Sequence, residues 1–138
     1  MNTGERIRKY RKMRHMTQQE LGEAVGLSSP AIRNYELGNR EPGKEQIEAI
    51  AKALKVAPSA LSEYDVKSAR DALELLFRVE EAFGLTPAND DTLTIDHKAK
   101  GAQKLSAAIR AWRSVLDQVD SGEMTSDEYE EWKASFKA

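Results

Sequence analysis

The sequence predicts an all-α protein in two parts: five short helices over residues 1–64, then a small, mainly helical part over 65–138 with a short strand or extended segment near 92–96. Three observations lead there. Apolar residues recur at spacings of 3 and 4 along nearly the whole chain, the period of one helix face. Start and stop signals punctuate the first half at short intervals, whereas the second half runs in longer elements. A length of 138 residues fits one ordinary domain or two small ones and excludes large multi-layer enzyme folds.

Composition narrows the chemistry. A hydrophobic share of 40% with 7% aromatics supports a lean core, and 32% charged residues argue for a soluble surface. Apolar runs are far shorter than the ~20 residues of a membrane span, and the N-terminus lacks an apolar signal core, so a cytoplasmic chain is expected. Cysteine is absent, which removes disulfides, thiolate zinc sites and cysteine nucleophiles together. His15 and His97 alone make no metal site. The net charge of -2 hides an uneven distribution: residues 1–64 hold 11 Lys and Arg against 8 Asp and Glu, residues 65–138 hold 10 against 15. Six cations, Arg6, Arg8, Lys9, Arg11, Lys12 and Arg14, crowd the first 14 residues against Glu5 alone, which suits a polyanion partner at that end.

A first helix is expected over 3–14, with Ile7, Tyr10 and Met13 or Arg14 on one face. Thr17 and Glu20 form a capping-box signature with Met16 and Leu21 as hydrophobic staple, so a second helix starts there. Gly26 stands where a left-handed cap ends it, and Ser28 caps a third helix with Pro30 in its first turn. Ile32 and Tyr35 point inward and Gly38 closes that helix before a polar loop to Gly43. Ile47, Ile50, Ala51 and Leu54 give a fourth helix, and Pro58 opens a short fifth containing Leu61.

From Val66 to Phe83 one helix is apolar on two faces and so needs partners on two sides. Gly84 and Pro87 end it, and a turn at 89–91 leads into the short alternating stretch 92–96. A longer helix over 99–120 carries a seam of Ala102, Leu105, Ile109, Trp112, Leu116 and Val119, fit for one long helical partner. Thr125 and Glu128 repeat the capping signature before a last helix with Tyr129, Trp132 and Phe136 on one face.

Only Gly26, Leu27 and Ser28 separate the second and third helices, a turn tight enough to expose the start of the third as a probe for a groove. The run TQQELGEAVGLSSPAIRNYELGNREP resembles the helix-turn-helix of the phage repressor and Cro family, the XRE-type transcription regulators, over about residues 3–64. The resemblance implies a five-helix, repressor-like DNA-binding domain over 1–64 and leaves 65–138 as a dimerisation or effector domain. It places Ser29, Pro30, Arg33 and Asn34 at base-reading positions and Gln18, Asn39, Arg40 and Lys44 at phosphate-binding positions, and it makes Arg11 and Glu36 a structural ion pair. Arg33 suits guanine O6 and N7, and Asn34 suits adenine. Gly22 departs from the alanine common in the family, at about 1 kcal/mol of helix propensity.

The second half holds no phosphate-binding glycine loop, no metalloprotease motif and no nucleophile elbow, so no cofactor, no metal and no enzyme activity is expected. A helix-turn-helix reads few base pairs alone, so a homodimer through residues 66–136 on double-stranded DNA is the expected assembly, with room for an unknown effector or protein partner and none for a membrane. The functional expectation is a sequence-specific transcription regulator, a dimeric repressor. The alternative is an antitoxin-like autoregulator whose C-terminal half binds a protein partner.

Overall fold

The computed structural model describes residues 1–137, and its chain is mostly helical. In order it has α1 (Thr3–Met13), α2 (Gln18–Val25), α3 (Ser29–Glu36), α4 (Lys44–Leu54), a 3-10 turn (Pro58–Leu61), α5 (Ala69–Phe83), β1 (Leu85–Pro87), β2 (Leu93–Ile95), α6 (Ala102–Asp120) and α7 (Ser126–Ser135). Two compact units result, Met1–Tyr64 with Glu130–Lys137, and Asp65–Tyr129. No helix among the described residues is long and apolar enough to cross a membrane.

In the first unit the local signals dictate the breaks. Asn2 caps α1 through a reciprocal capping box with Glu5, which places an acid at the positive end of the helix. The Thr17 hydroxyl accepts from the Glu20 amide at 3.0 Å, so the threonine half of the expected box forms. Gly26 takes φ +73° to end α2, and the Ser28 hydroxyl accepts from the Ala31 amide to start α3. The fifth helix expected near Leu61 is a single 3-10 turn, too short for an α-helix. Ile7, Leu21, Ile32, Ile50, Leu54 and Leu61 are wholly buried in one core. Ala134 joins them from far downstream, and its carbonyl accepts the Ala57 amide at 2.8 Å.

Gly22 is buried against the turn that sets α3. A methyl group there would lie 2.5 Å from the Leu27 carbonyl oxygen, which explains glycine at this position. Gly22→Ala is therefore expected to lower the thermal midpoint, because about 1–3 kcal/mol of overpacking outweighs the ~1 kcal/mol gained in helix propensity. A midpoint that rises instead would show that the turn relaxes freely.

The second unit departs further from expectation. Helix α5 starts at Ala69, not Val66, because Ser68 and Asp71 form a full capping box; Val66 lies outside it and exposed. The segment after Gly84 is a strand, with Leu85 opposite Ile95, Thr86 opposite Thr94 and Pro87 opposite Leu93 in an antiparallel pair. The stretch expected as strand or extended chain is thus one arm of a hairpin. Helix α6 begins at Ala102, three residues later than expected, after Gly101 in the left-handed region. Along its seam Ala102 is buried, while Ile109 and Trp112 are exposed. The Trp112 indole donates to the Tyr129 hydroxyl at 2.7 Å.

Candidate nucleic-acid interface

Helix α3 has two sides of opposite character. Ile32, Tyr35 and Glu36 are buried, whereas Pro30 and Arg33 are exposed and Ser29 and Asn34 half-buried. Positions 29, 30, 33 and 34 follow helical spacing, so they share the outward face. The proline sits within the first turn and takes no hydrogen bond from the helix ladder.

The inner side of α3 is locked by a polar network. Arg11 binds Glu36 with both arms, Nε to Oε1 and Nη2 to Oε2 at 3.0 Å, and its Nη1 donates to the Met16 carbonyl at 2.8 Å. The two side chains are only 10% and 4% exposed. Burial works to raise the Glu36 carboxyl, but the hydrogen bonds from Arg11 and Gln18 and the positive charges of Arg11 and Arg8 outweigh it and hold the group below its usual value. Gln18, the first residue of α2, donates Nε2 to Glu36 Oε2 at 3.0 Å. Its amide carries a second N–H beside the one given to Glu36. One buried carboxylate thus fixes α1, α3 and the head of α2 together.

The loop after α3 is tied to the same helix. The Asn34 backbone carbonyl accepts from the amides of Asn39 and Arg40 at 3.0 and 3.3 Å, and Asn39 Nδ2 donates to Asn34 Oδ1 at 3.4 Å. At that length the bond between the two side-chain amides is weak. Asn39, Arg40 and Lys44 are exposed, the last at the start of α4.

Half of the basic cluster over residues 6–14 is already engaged. Besides Arg11, Lys9 pairs with Glu130 at 2.9 Å, and Arg14 pairs with Glu131 at 2.6 Å and donates to the Leu54 carbonyl at 2.7 Å. Bonds from Lys133 and Lys9 hold the Glu130 carboxyl below its usual value. Arg8 and Lys12 remain exposed. Neither Glu130 nor Glu131 was foreseen as a partner of α1, since nothing local marks a contact across more than a hundred residues; the Asn2 cap did leave a readable signal in Asn2-x-x-Glu5.

The helix-turn-helix family model matches residues 7–61. This segment is a helix-turn-helix domain of the phage repressor type. It is 41% identical over 58 residues to an uncharacterized HTH-type transcriptional regulator, y4wC, of Sinorhizobium fredii, covering 42% of this chain and 41% of that one. Repressor protein C2 of Salmonella phage P22 is 42% identical over 69 residues, which is 48% of this chain and 32% of the repressor. A crystal structure of the P22 c2 repressor with a synthetic operator is 40% identical, covering 47% of this chain and 98% of that chain, with a TM-score of 0.45. The chain therefore spans well under half the length of these curated relatives, and the likeness lies in the helix-turn-helix.

Proposed function

We propose that the chain is a cytoplasmic, sequence-specific transcription regulator that works as a dimeric repressor, with 1–64 binding DNA and the unit Asp65–Tyr129 supplying the dimer contact. The reading rests on one observation: α3 presents Pro30 and Arg33 outward while its other side is pinned by the buried Arg11–Glu36 pair. A rigid helix with a polar outer face fits the major groove, where each base pair shows a distinct pattern of donors and acceptors. Arg33 reads a guanine and Asn34 an adenine, with Ser29 and Pro30 as looser neighbours. Gln18, Asn39, Arg40 and Lys44 hold phosphates and set register without reading sequence. Repression is steric, by occupation of a promoter, and no catalytic step is involved.

Selection of bound sequences from a random duplex pool tests this reading. A near-palindromic winner with half-sites about one turn, ~34 Å, apart, bound at least ~10³-fold tighter than scrambled DNA, is expected. No enrichment of any sequence would defeat it. Arg33→Ala is then expected to cost about 1–3 kcal/mol on the selected site and to relax preference at one base position. Gln18→Ala and Arg40→Ala should each weaken all sequences alike, and Arg40→Ala, which removes a positive charge, should also flatten the salt dependence. Titrations of selected and scrambled duplexes at two salt concentrations separate the two behaviours, and uniform loss for Arg33→Ala would remove its reading role.

A further inference from the structure

Among the described residues, α5 is the α-helix with no buried residue. Leu73, Leu76, Phe77 and Phe83 each expose more than a third of their surface, at 43%, 37%, 43% and 37%. An apolar stripe of this length left in water marks a contact surface. The charges at the two ends of α5 indicate what covers it. Its last turn holds Glu80 and Glu81 and no base, although the negative end of a helix dipole favours cations. Neither acid has an ion pair among the described residues, whereas Glu74 is already shared by Arg70 and Arg78. Its first turn holds Arg70, at the end where a cation is disfavoured, with the guanidinium 5.8 Å from the Phe77 ring centre along the edge of the stripe. Arg70 and Glu81 are eleven residues apart, close to three turns, so they lie on the same flank.

We propose that α5 pairs antiparallel with α5 of a second copy of this chain, about a two-fold axis crossing between Leu75 and Leu76. That axis exchanges positions 70 and 81, so Arg70 of each copy meets Glu81 of the other at the helix end where each charge is wanted. Leu76 and its mate fall at the centre, and the stripe covers itself. A parallel pair would bring like helix ends together and set the Arg70–Glu81 flanks of the two copies on opposite sides of the seam, where neither charge meets its complement, so the charge pattern selects the antiparallel one. This pairing rests on the dimer proposed above and specifies its surface.

Sedimentation equilibrium of the full chain tests it, with circular dichroism confirming that each variant keeps its helix content. The unmodified chain is expected to dimerise at micromolar concentration. Arg70→Glu and Glu81→Arg should each raise the dissociation constant about tenfold, and the double exchange should restore it to within about threefold. Restoration is the decisive arm, because loss of the Arg70–Glu74 pair inside the helix would not be repaired by a change at 81. A dimer that neither single change weakens, or that the double change leaves weak, overturns the α5 pairing and leaves the dimer standing. A monomer of the unmodified chain that protects one half-site on DNA overturns the dimer reading and the pairing with it.

Discussion

Arg11→Leu is expected to destabilise the helix-turn-helix unit by about 3–5 kcal/mol, the usual consequence of leaving one member of a buried pair without its counter-charge. In a small domain each kcal/mol moves the thermal midpoint by about 4–8 °C, so circular dichroism should record a fall of at least ~12 °C. The magnitude follows from the geometry. The carboxylate of Glu36 is 4% exposed, and two of its three donors sit on Arg11; removal leaves Gln18 as the remaining one. Arg11→Leu with Glu36→Leu should recover part of the loss, because an apolar pair carries no unpaired charge. A single variant that melts within a few degrees of the parent would show that water reaches the site.

The same pair gives acid unfolding a definite sign. The Glu36 carboxyl is lowered in the folded protein, so as pH falls the unfolded chain takes up that proton first. The stabilisation is complete above the ordinary glutamate value near 4.3 and is lost as pH falls through the lower folded value. Without Arg11, only the Gln18 hydrogen bond and the Arg8 charge oppose burial, so much of the lowering is lost. The variant should then gain stability relative to the parent on acidification. Denaturant midpoints measured from neutral pH down to about pH 3 should fall more steeply for the parent than for the variant, and parallel curves would remove Glu36 from the account.

What the sequence disclosed and what it withheld divide along the range of the interactions involved. Gly26, Ser28 and Thr17 act on the backbone within a few residues, so α2, α3 and the turn between them were legible from spacing alone. The mostly helical class and the inward side of α3 followed from the same period, whereas its outward residues came with the resemblance to the repressor family. β1 was not legible, because three residues give no alternation to detect and Pro87 reads equally as a turn signal. Nor was the place of Ala134, whose small side chain enters the core of the first unit on the strength of contacts with residues far away in sequence. In the candidate interface, residue types and their face could be read, but the hydrogen bond that turns the Gln18 amide toward Glu36 could not. Spacing locates a side chain on a helix and says nothing of which neighbour its last two torsions select.

Leu76→Asp is expected to lower affinity for a two-half-site operator by about 10²–10⁴-fold while leaving affinity for a single half-site unchanged. The first number is the avidity lost when the second domain is no longer delivered at millimolar effective concentration. The second follows from the separation of tasks, since Leu76 belongs to the unit Asp65–Tyr129 and the base-reading candidates to the other. Because the side chain is already 37% exposed, a carboxylate there should be tolerated by the isolated fold. At the centre of a two-fold contact the same carboxylate faces its own mate, and two like charges are desolvated together. The salt slope provides an independent reading: log K falls in proportion to the phosphates neutralised, so a monomer on the operator should show about half the slope of the parent. Arg33→Ala is the natural contrast, since it should lose affinity on operator and half-site alike. If Leu76→Asp behaves as Arg33→Ala does, the damage has reached the DNA-binding unit. If it leaves operator binding intact, two copies are held together elsewhere, and the exposed seam residues Ile109 and Trp112 of α6 become the surface to change next.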